Sequence, residues 1–342
     1  MNKIVLGWVF MILIVSCSKS NKEELVVESP DTFKGLVVPS HFPSTHYQFQ
    51  NNPITESGFE LGRQLFYEKL LSSDNTISCG SCHAQVHAFA DHSVTLSAGV
   101  DGAIGTRNSP ALFNLAWYPS FMWDGGVNHI EVMPFAPITN PVEMNEDMGN
   151  VVLKLQATDK YPPLFEKAFG TSTITDQKML YALAQFMSMM VSSDSKYDKV
   201  ILGTEVFTEQ ELQGYHIYQN NCSSCHTEPL FTDFSYRNNG LSATPEADEG
   251  RYRITLNAED MSKFKVPSLR NIQLTYPYMH DGRIHSLNGV IDHYSSGIQN
   301  SPTLDPNLQN MNFSEEEKQA LIAFLYTLND YTFLGNHALS EP

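Results

Sequence analysis

Cysteines and basic side chains are both scarce in this chain. Only five cysteines occur among 342 residues, and 21 Lys and Arg stand against 38 Asp and Glu, which gives a formal net charge of −17. Such an excess of negative charge argues against a nucleic-acid partner, because phosphate groups would be repelled. It is compatible with a cationic protein partner and, equally, with solubility alone.

Long apolar segments are also missing, except for residues 4–15. That segment follows a single lysine, is short for a membrane span, and leads into Cys17 in the pattern of a bacterial lipoprotein signal. We expect residues 1–16 to be a signal peptide and Cys17 to be lipidated, so that only a lipid anchor reaches the membrane. The alternative is an ordinary cleaved signal. Residues 17–50 are predicted to be a tether and N-terminal extension, and the expected location is the periplasm, at the outer membrane.

No long alternating strand pattern occurs, whereas amphipathic helical patterns are frequent. Thr208 with Glu211 forms a capping box that predicts the start of one helix, and a second such box begins at Ser314. The sequence therefore predicts an all-α fold with little β structure. Its length suggests two domains, which we place at residues 51–200 and 201–335.

Four cysteines remain when Cys17 is set aside, and they lie in two identical frames. The frames are Cys79-Gly80-Ser81-Cys82-His83 and Cys222-Ser223-Ser224-Cys225-His226. Two disulfides or a zinc site could use four cysteines, but neither requires a histidine after each pair. The CxxCH frame is the signature of covalent haem attachment, in which both thiols bond to the porphyrin and the histidine binds iron. The sequence thus predicts two haem c groups, with His83 and His226 as proximal ligands.

The two frames belong to a crude internal duplication. Each follows an amphipathic helical segment, and each is followed by a Phe-x-Asp sequence, namely Phe89-Ala90-Asp91 and Phe231-Thr232-Asp233. This arrangement favours two related haem domains of the cytochrome c type.

With these frames the chain resembles the bacterial di-haem cytochrome c peroxidases and their MauG-type relatives, over about residues 50–330. The shared blocks, in family order, are "RNSPALFN" (107–114), "FMWDGG" (121–126), "ITNPVEM" (138–144), "FKVPSLRNIQLTYPYMHDG" (264–282) and "VIDHYSSG" (290–297). The resemblance implies that the N-terminal haem meets hydrogen peroxide. It also implies that the C-terminal haem takes up electrons from a donor or substrate and relays them.

The resemblance also bears on the distal side of the first haem. Conventional peroxidases of the family place a distal histidine about sixteen positions after the proximal one, where this chain has Gly99. Glycine cannot ligate iron, so the chain resembles the MauG-type branch, with the first haem open on its distal side. His87 and His92 are the nearest substitutes, and we expect them at the haem edge or the surface. Glu143 matches the family's distal glutamate, which would move a proton between the peroxide oxygens.

Three further positions match residues around the haems in the family. Met133 stands ten residues before Glu143, where the family often has glutamine. A thioether cannot donate a hydrogen bond, so Met133 is either an oxidisable pocket wall or a packing residue. Pro137 matches another distal-pocket position. Trp123 matches the tryptophan between the two haems, although a core aromatic would fit the same position.

The sixth ligand of the second haem is predicted from the same resemblance. Tyr294 matches the position at which the family supplies methionine or, in MauG-type members, tyrosine. Tyrosinate would lower the reduction potential, whereas methionine would raise it. Met279, His280 and His293 are nearby rivals.

A calcium ion is also implied. Asn108, Thr275 and Pro277 match the family's interdomain calcium site, which would use side-chain and backbone oxygens. The alternative is that Asn108 and Thr275 only brace turns.

Three functions follow from these expectations. The first is reduction of hydrogen peroxide to water with electrons from a small cytochrome c or cupredoxin. The second is MauG-type, peroxide-driven oxidation of aromatic residues in a partner protein. The third is a di-haem electron shuttle without peroxide chemistry. A homodimer is a further expectation.

Overall fold

The computed structural model describes residues 33–91, 94–241 and 248–342. The helices are α1 Glu56–Phe66, α2 Cys79–Cys82, α3 Phe135–Thr139, α4 Met148–Gln156, α5 Tyr161–Phe169, α6 Asp176–Ser188, α7 Lys196–Ile201, α8 Glu209–Asn221, α9 Tyr252–Thr255, α10 Leu287–Asp292, α11 Glu315–Tyr326 and α12 Tyr331–Leu334. Within these ranges, the only sheet is an antiparallel pair, β1 Tyr236–Arg237 and β2 Phe264–Lys265. The predicted all-α class is confirmed.

Helices α1 and α6 form the main helix pair of the N-terminal half. Thr55 caps α1 through its side chain, and the apolar face of the helix buries Phe59, Leu65 and Phe66. A Cβ at Gly62 would overlap the backbone of Ala182 in α6. The two helices therefore approach as closely as a glycine allows.

Helices α8 and α11 repeat this arrangement in the C-terminal half. Both predicted capping boxes are present, at Thr208 and at Ser314. A Cβ at Gly214 in α8 would overlap the carbonyl of Ala320 in α11 and lie 2.9 Å from the Cβ of Phe324. The duplication seen in the sequence is thus a duplication of helix pairs.

Gly214→Ala should destabilise the protein by about 1–3 kcal/mol, because the added methyl group must push α11 away from α8. Gly105→Ala is the matched control, since its new Cβ would meet only a Val142 methyl group at 3.8 Å. Chemical denaturation of the haem-loaded protein measures both. Equal stabilities of the two variants would contradict the close helix contact.

Gly35–Pro342 form one compact unit, which includes part of the predicted extension. Phe42 is buried and packs edge-on against Trp117, with ring centroids 5.3 Å apart. His41 donates through Nε2 to the carboxylate of Asp198 at 2.8 Å. The domain boundary near residue 200 stays a prediction.

Asp198 and Arg270 form a fully buried ion pair in this unit. Two guanidinium nitrogens of Arg270 reach the two carboxylate oxygens at 2.7 and 2.8 Å, and the side chains are 0% and 1% exposed. The guanidinium also lies over the ring of Phe231, 5.7 Å from its centroid. The pair therefore reaches the segment that follows the second haem frame.

The predicted signal peptide and Cys17 lie outside the described residues. Within the described ranges, no helix has the length and apolar character needed to cross a bilayer.

Candidate haem sites

The first CxxCH frame forms a single helical turn, α2, followed directly by His83. The imidazole Nδ1 of His83 donates to the carbonyl of Phe89 at 2.9 Å. This bond fixes the tautomer and leaves the Nε2 lone pair for iron. Burial lowers the pKa of His83, and this favours the neutral ring that a metal needs.

The second frame has the same geometry around His226. Its Nδ1 is shared between the carbonyls of Phe231 at 3.2 Å and Pro267 at 3.1 Å. Burial again lowers the pKa of the imidazole. Phe231 and Phe89 are both fully buried and both have a positive φ, 55° and 58° respectively. The repeated Phe-x-Asp sequence thus turns a carbonyl toward each proximal histidine.

Among the described residues, no disulfide joins the four cysteines of the frames. Burial, with a contribution from Cys82, raises the pKa of Cys79 to about 12. Burial raises the pKa of Cys82 to about 11 and that of Cys222 to about 12, and it also raises the pKa of Cys225. Paired thiols in apolar surroundings, each pair beside a neutral imidazole, fit covalent attachment of a haem at both frames.

Gly99 lies directly against the loop that carries Glu143. A Cβ at Gly99 would overlap the carbonyls of Val142 and Glu143 and lie 2.7 Å from the Glu143 Cα. The neighbouring Val100 N–H donates to the Glu143 carbonyl at 2.8 Å. Position 99 therefore has no room for a side chain. His92 lies outside the described residues, and His87 lies in a short 3₁₀ turn, Gln85–His87.

Burial is the main cause of the raised pKa values of Cys79 and Cys82, and the charge of Glu143 adds to both, so this carboxylate lies within electrostatic reach of the first haem frame. Glu143 is exposed to solvent. Desolvation raises the pKa of Glu143, and a hydrogen bond that the Asn140 side-chain amide donates at 2.6 Å opposes that rise. Its distal acid–base role stays a prediction.

Pro137 and Met133 lie on the segment that leads to this loop. The Pro137 carbonyl accepts a hydrogen bond from Met144 N–H at 3.1 Å, so the proline lies beside the Glu143 loop. Met133 is buried, in the turn just before α3. The structure therefore brings Pro137, Gly99 and Glu143 together, and the roles of Met133 and Pro137 stay predictions.

Trp123 joins the two halves of the chain. Its indole N–H donates to the Asn108 carbonyl at 2.8 Å, and its own carbonyl accepts from Lys265 N–H at 2.7 Å. The side chain of Lys265 is buried and donates to the Ser120 carbonyl. Burial lowers the pKa of Lys265 to about 7. Trp123 thus contacts a segment from each half of the chain, and its position between the haems and its role in electron transfer stay predictions.

Tyr294 lies near the second haem frame, in a π-helical turn, His293–Gly297. Burial raises the pKa of its phenol to about 12, the Asn239 side chain opposes this, and the Cys222 and Cys225 thiols add to it. The phenol is therefore within electrostatic reach of both attachment thiols. Its assignment as the sixth ligand stays a prediction.

The rivals of Tyr294 have other partners. The ring of His280 stacks on Phe264 with centroids 3.6 Å apart, and burial lowers the pKa of His280 to about 4. His293 donates through Nε2 to the Asn239 carbonyl at 3.0 Å, and Met279 accepts at Sδ from the Asn239 amide at 3.3 Å. Sequence reasoning missed Asn239, which carries no motif of its own.

The three predicted calcium residues lie in neighbouring segments. Asn108 is buried, and its N–H donates to the His280 carbonyl at 2.8 Å. Its side-chain nitrogen donates to the Thr95 carbonyl at 3.1 Å, so Oδ1 is the side-chain atom that would be offered to a cation. Among the described residues, no hydrogen bond ends at the carbonyls of Thr275 and Pro277. Their donor set is of the oxygen type that calcium uses.

Known proteins are similar to this chain in sequence and fold. The sequence model of the di-haem cytochrome c peroxidase family matches residues 56–205, and that of cytochrome c matches residues 212–329. The methylamine utilization protein MauG of Methylorubrum extorquens is 35% identical over 281 residues, which cover 81% of this chain and 79% of the relative. The cytochrome c551 peroxidase of Nitrosomonas europaea is 32% identical over 274 residues, 79% of each chain.

Solved structures agree with these matches. A MauG-like protein associated with microbial copper homeostasis superposes with a TM-score of 0.82 at 31% identity, covering 89% of this chain and 98% of the other. The di-haem peroxidase BthA of Burkholderia thailandensis shares the fold, with a TM-score of 0.72 at 21% identity over 84% and 90% of the two chains. The chain therefore belongs to the family of di-haem cytochrome c peroxidases and MauG proteins, and it is a haem oxidoreductase with two c-type haems.

Proposed function

We propose that this protein reduces hydrogen peroxide to water with electrons from a small redox protein, a cytochrome c or a cupredoxin. The haem at the first frame would supply the iron that binds peroxide, and the haem at the second frame would supply the electron relay. The protein's own contribution is to hold each proximal imidazole neutral and to present Glu143 on the peroxide side. The net charge of −17 suits a cationic donor.

Glu143 would act as the proton carrier of this reaction. Its carboxylate would accept the proton from the peroxide oxygen nearer the iron and return it to the far oxygen, which leaves as water. A carboxyl group with a raised pKa suits both steps, because it must first accept a proton as the carboxylate and then donate that proton as the acid. Asn140 would hold the carboxylate in place through the hydrogen bond that its side-chain amide donates at 2.6 Å.

The observation that supports this proposal is the contact of Gly99 with the Glu143 loop, which leaves no room for a side chain at position 99, while the Glu143 carboxylate lies within electrostatic reach of Cys79 and Cys82. Steady-state oxidation of a reduced small cytochrome c by peroxide tests the proposal. We expect donor oxidation that depends on both protein and peroxide. Haem-loaded protein that consumes no peroxide would contradict the proposal and favour an electron shuttle.

Gly99→Ala should slow the reaction with peroxide at least tenfold. The added methyl group must displace the backbone at residues 142–143, and small displacements of a catalytic group reduce rates strongly. Stopped-flow absorbance measures the rate, and Gly105→Ala is the control on the same loop. Retention of the parent rate in Gly99→Ala would show that the contact does not position Glu143.

A second candidate is peroxide-driven oxidation of aromatic residues in a partner protein. Tyr294, near the thiols of the second frame, favours this candidate, because tyrosinate stabilises oxidised iron. The two candidates differ in their response to a reduced cytochrome c. Rapid turnover supports the peroxidase, whereas an oxidised spectrum that persists in the presence of the donor supports the protein-modifying enzyme.

We also propose a calcium ion at Asn108, Thr275 and Pro277. The Asn108 side-chain oxygen and the two backbone carbonyls support it. Elemental analysis of the purified protein before and after chelation is the test. Protein that contains no calcium and gains no thermal stability on its addition would contradict this site.

Export and anchoring remain proposals based on residues 1–17. Fractionation of cells that express the full chain, with Cys17→Ser for comparison, is the test of a lipid anchor. We expect the variant to leave the membrane fraction. The expected homodimer is checked by sedimentation of the processed protein.

A further inference from the structure

Asn239 lies among three side chains that could ligate the second iron. Its side-chain amide nitrogen donates to Sδ of Met279 at 3.3 Å. Its backbone carbonyl accepts from Nε2 of His293 at 3.0 Å. The same side chain interacts with the phenol of Tyr294. A single residue therefore contacts every candidate ligand except His280.

The backbone around Asn239 is firmly held. The side chain of Asn238 is buried and donates to the hydroxyls of Ser301 at 3.0 Å and Thr303 at 2.9 Å. Gly240 has a φ of 71°, a conformation that favours glycine, and its N–H donates to Asn238 Oδ1 at 2.9 Å. Asn239 thus stands on a loop that cannot shift easily.

The orientation of the Asn239 amide follows from its acceptor side. Leu241 N–H donates to Oδ1 at 3.4 Å, so the NH₂ group points to Met279. This hydrogen bond takes one of the two sulfur lone pairs and holds the thioether toward Asn239, so Met279 must give up this contact to turn toward iron. Nε2 of His293 must carry a proton, because the carbonyl of Asn239 can only accept a hydrogen bond. That nitrogen therefore has no lone pair to offer to iron.

We propose that Asn239 selects Tyr294 as the sixth ligand of the second haem by engaging Met279 through its side chain and His293 through its backbone. The inference rests on the proposed role of the second haem as a six-coordinate relay. Asn239 is a positioning residue, which acts on iron only through its neighbours. Because tyrosinate lowers the potential of iron and methionine raises it, this selection would keep the relay at low potential.

The experiment compares Asn239→Leu, Met279→Leu and the double variant in the haem-loaded protein. Leucine has nearly the shape of asparagine but cannot donate, so Asn239→Leu frees the Met279 sulfur while the backbone bond to His293 remains. We expect Asn239→Leu to show the thioether-to-iron charge-transfer band and a higher reduction potential of the second haem. Met279→Leu alone should keep the parent spectrum and potential.

The double variant distinguishes ligand exchange from a general disturbance. If Met279 replaces Tyr294 in Asn239→Leu, the added Met279→Leu must remove the charge-transfer band and reverse the rise in potential. An unchanged spectrum and potential in Asn239→Leu would overturn the selection by Asn239. A methionine-ligated spectrum in the parent protein would instead overturn the assignment of Tyr294, while the peroxide assay separately decides the proposed function.

Discussion

Replacing Glu143 by glutamine should slow the reaction with peroxide by about 10²–10⁴-fold, the usual contribution of a positioned acid–base group. Glutamine retains the shape of glutamate and can still contact Asn140, but it cannot carry a proton between the peroxide oxygens. Stopped-flow mixing with peroxide measures the rate constant. Absorbance of the unreacted protein should show both haems attached.

The pH dependence gives a second measure of the same role. The first step needs the ionised carboxylate, so the parent rate should fall as the pH falls through the pKa of Glu143, which desolvation raises above its ordinary value. That inflection should vanish in Glu143→Gln. Asp147→Asn is the control, since it removes a charge from the same loop and asparagine still caps α4. If Asp147→Asn slows the reaction as much, Glu143 has no special role.

Asp198→Asn should cost about 3–5 kcal/mol of unfolding free energy, because the buried guanidinium of Arg270 would lose its counter-charge. Burial opposes ionisation of Asp198, but the bonds from Arg270 and Ser195 hold its pKa below the ordinary value. The stabilisation is therefore present above the ordinary pKa of an aspartate and is lost as the pH falls through the lowered one. Denaturant titration at neutral pH measures the difference.

Two controls separate this effect from loss of any charge. Asp292→Asn breaks an exposed pair with Lys318 and should change stability far less. A double variant, Asp198→Leu with Arg270→Met, should be more stable than Asp198→Asn, because it leaves no unpaired buried charge. Asp198→Asn with the parent's stability would show that Arg270 finds another partner.

The fold class and the haem frames could be predicted because their signals are local. A CxxCH frame spans one helical turn, and each capping box spans the first turn of its helix. The helix predicted to begin after Ser314 is α11, and it buries an apolar face that includes Leu321, Phe324 and Leu325. Short-range patterns of this kind can be recognised in the sequence without knowledge of how distant segments pack.

The remaining features depend on contacts between distant segments. Gly99 could be recognised as a missing ligand, but its packing on residues 142–143 depends on how two loops meet. The ion pair of Asp198 with Arg270 and the contacts of Asn239 are of the same kind. Polar residues without periodicity give no sign of their partners, so only the assembled structure reveals them.

The carbonyl partners of the two proximal histidines have a consequence for how the haems divide their work. A carboxylate partner would give an imidazole more electron-releasing character than a carbonyl does, and here both histidines receive carbonyls from equivalent phenylalanines. The two proximal sides then differ only in the second carbonyl, that of Pro267, which shares the Nδ1 proton of His226. A large asymmetry in reactivity would have to arise from the opposite faces, so either activity can evolve by changes on one face while the proximal sides stay as they are.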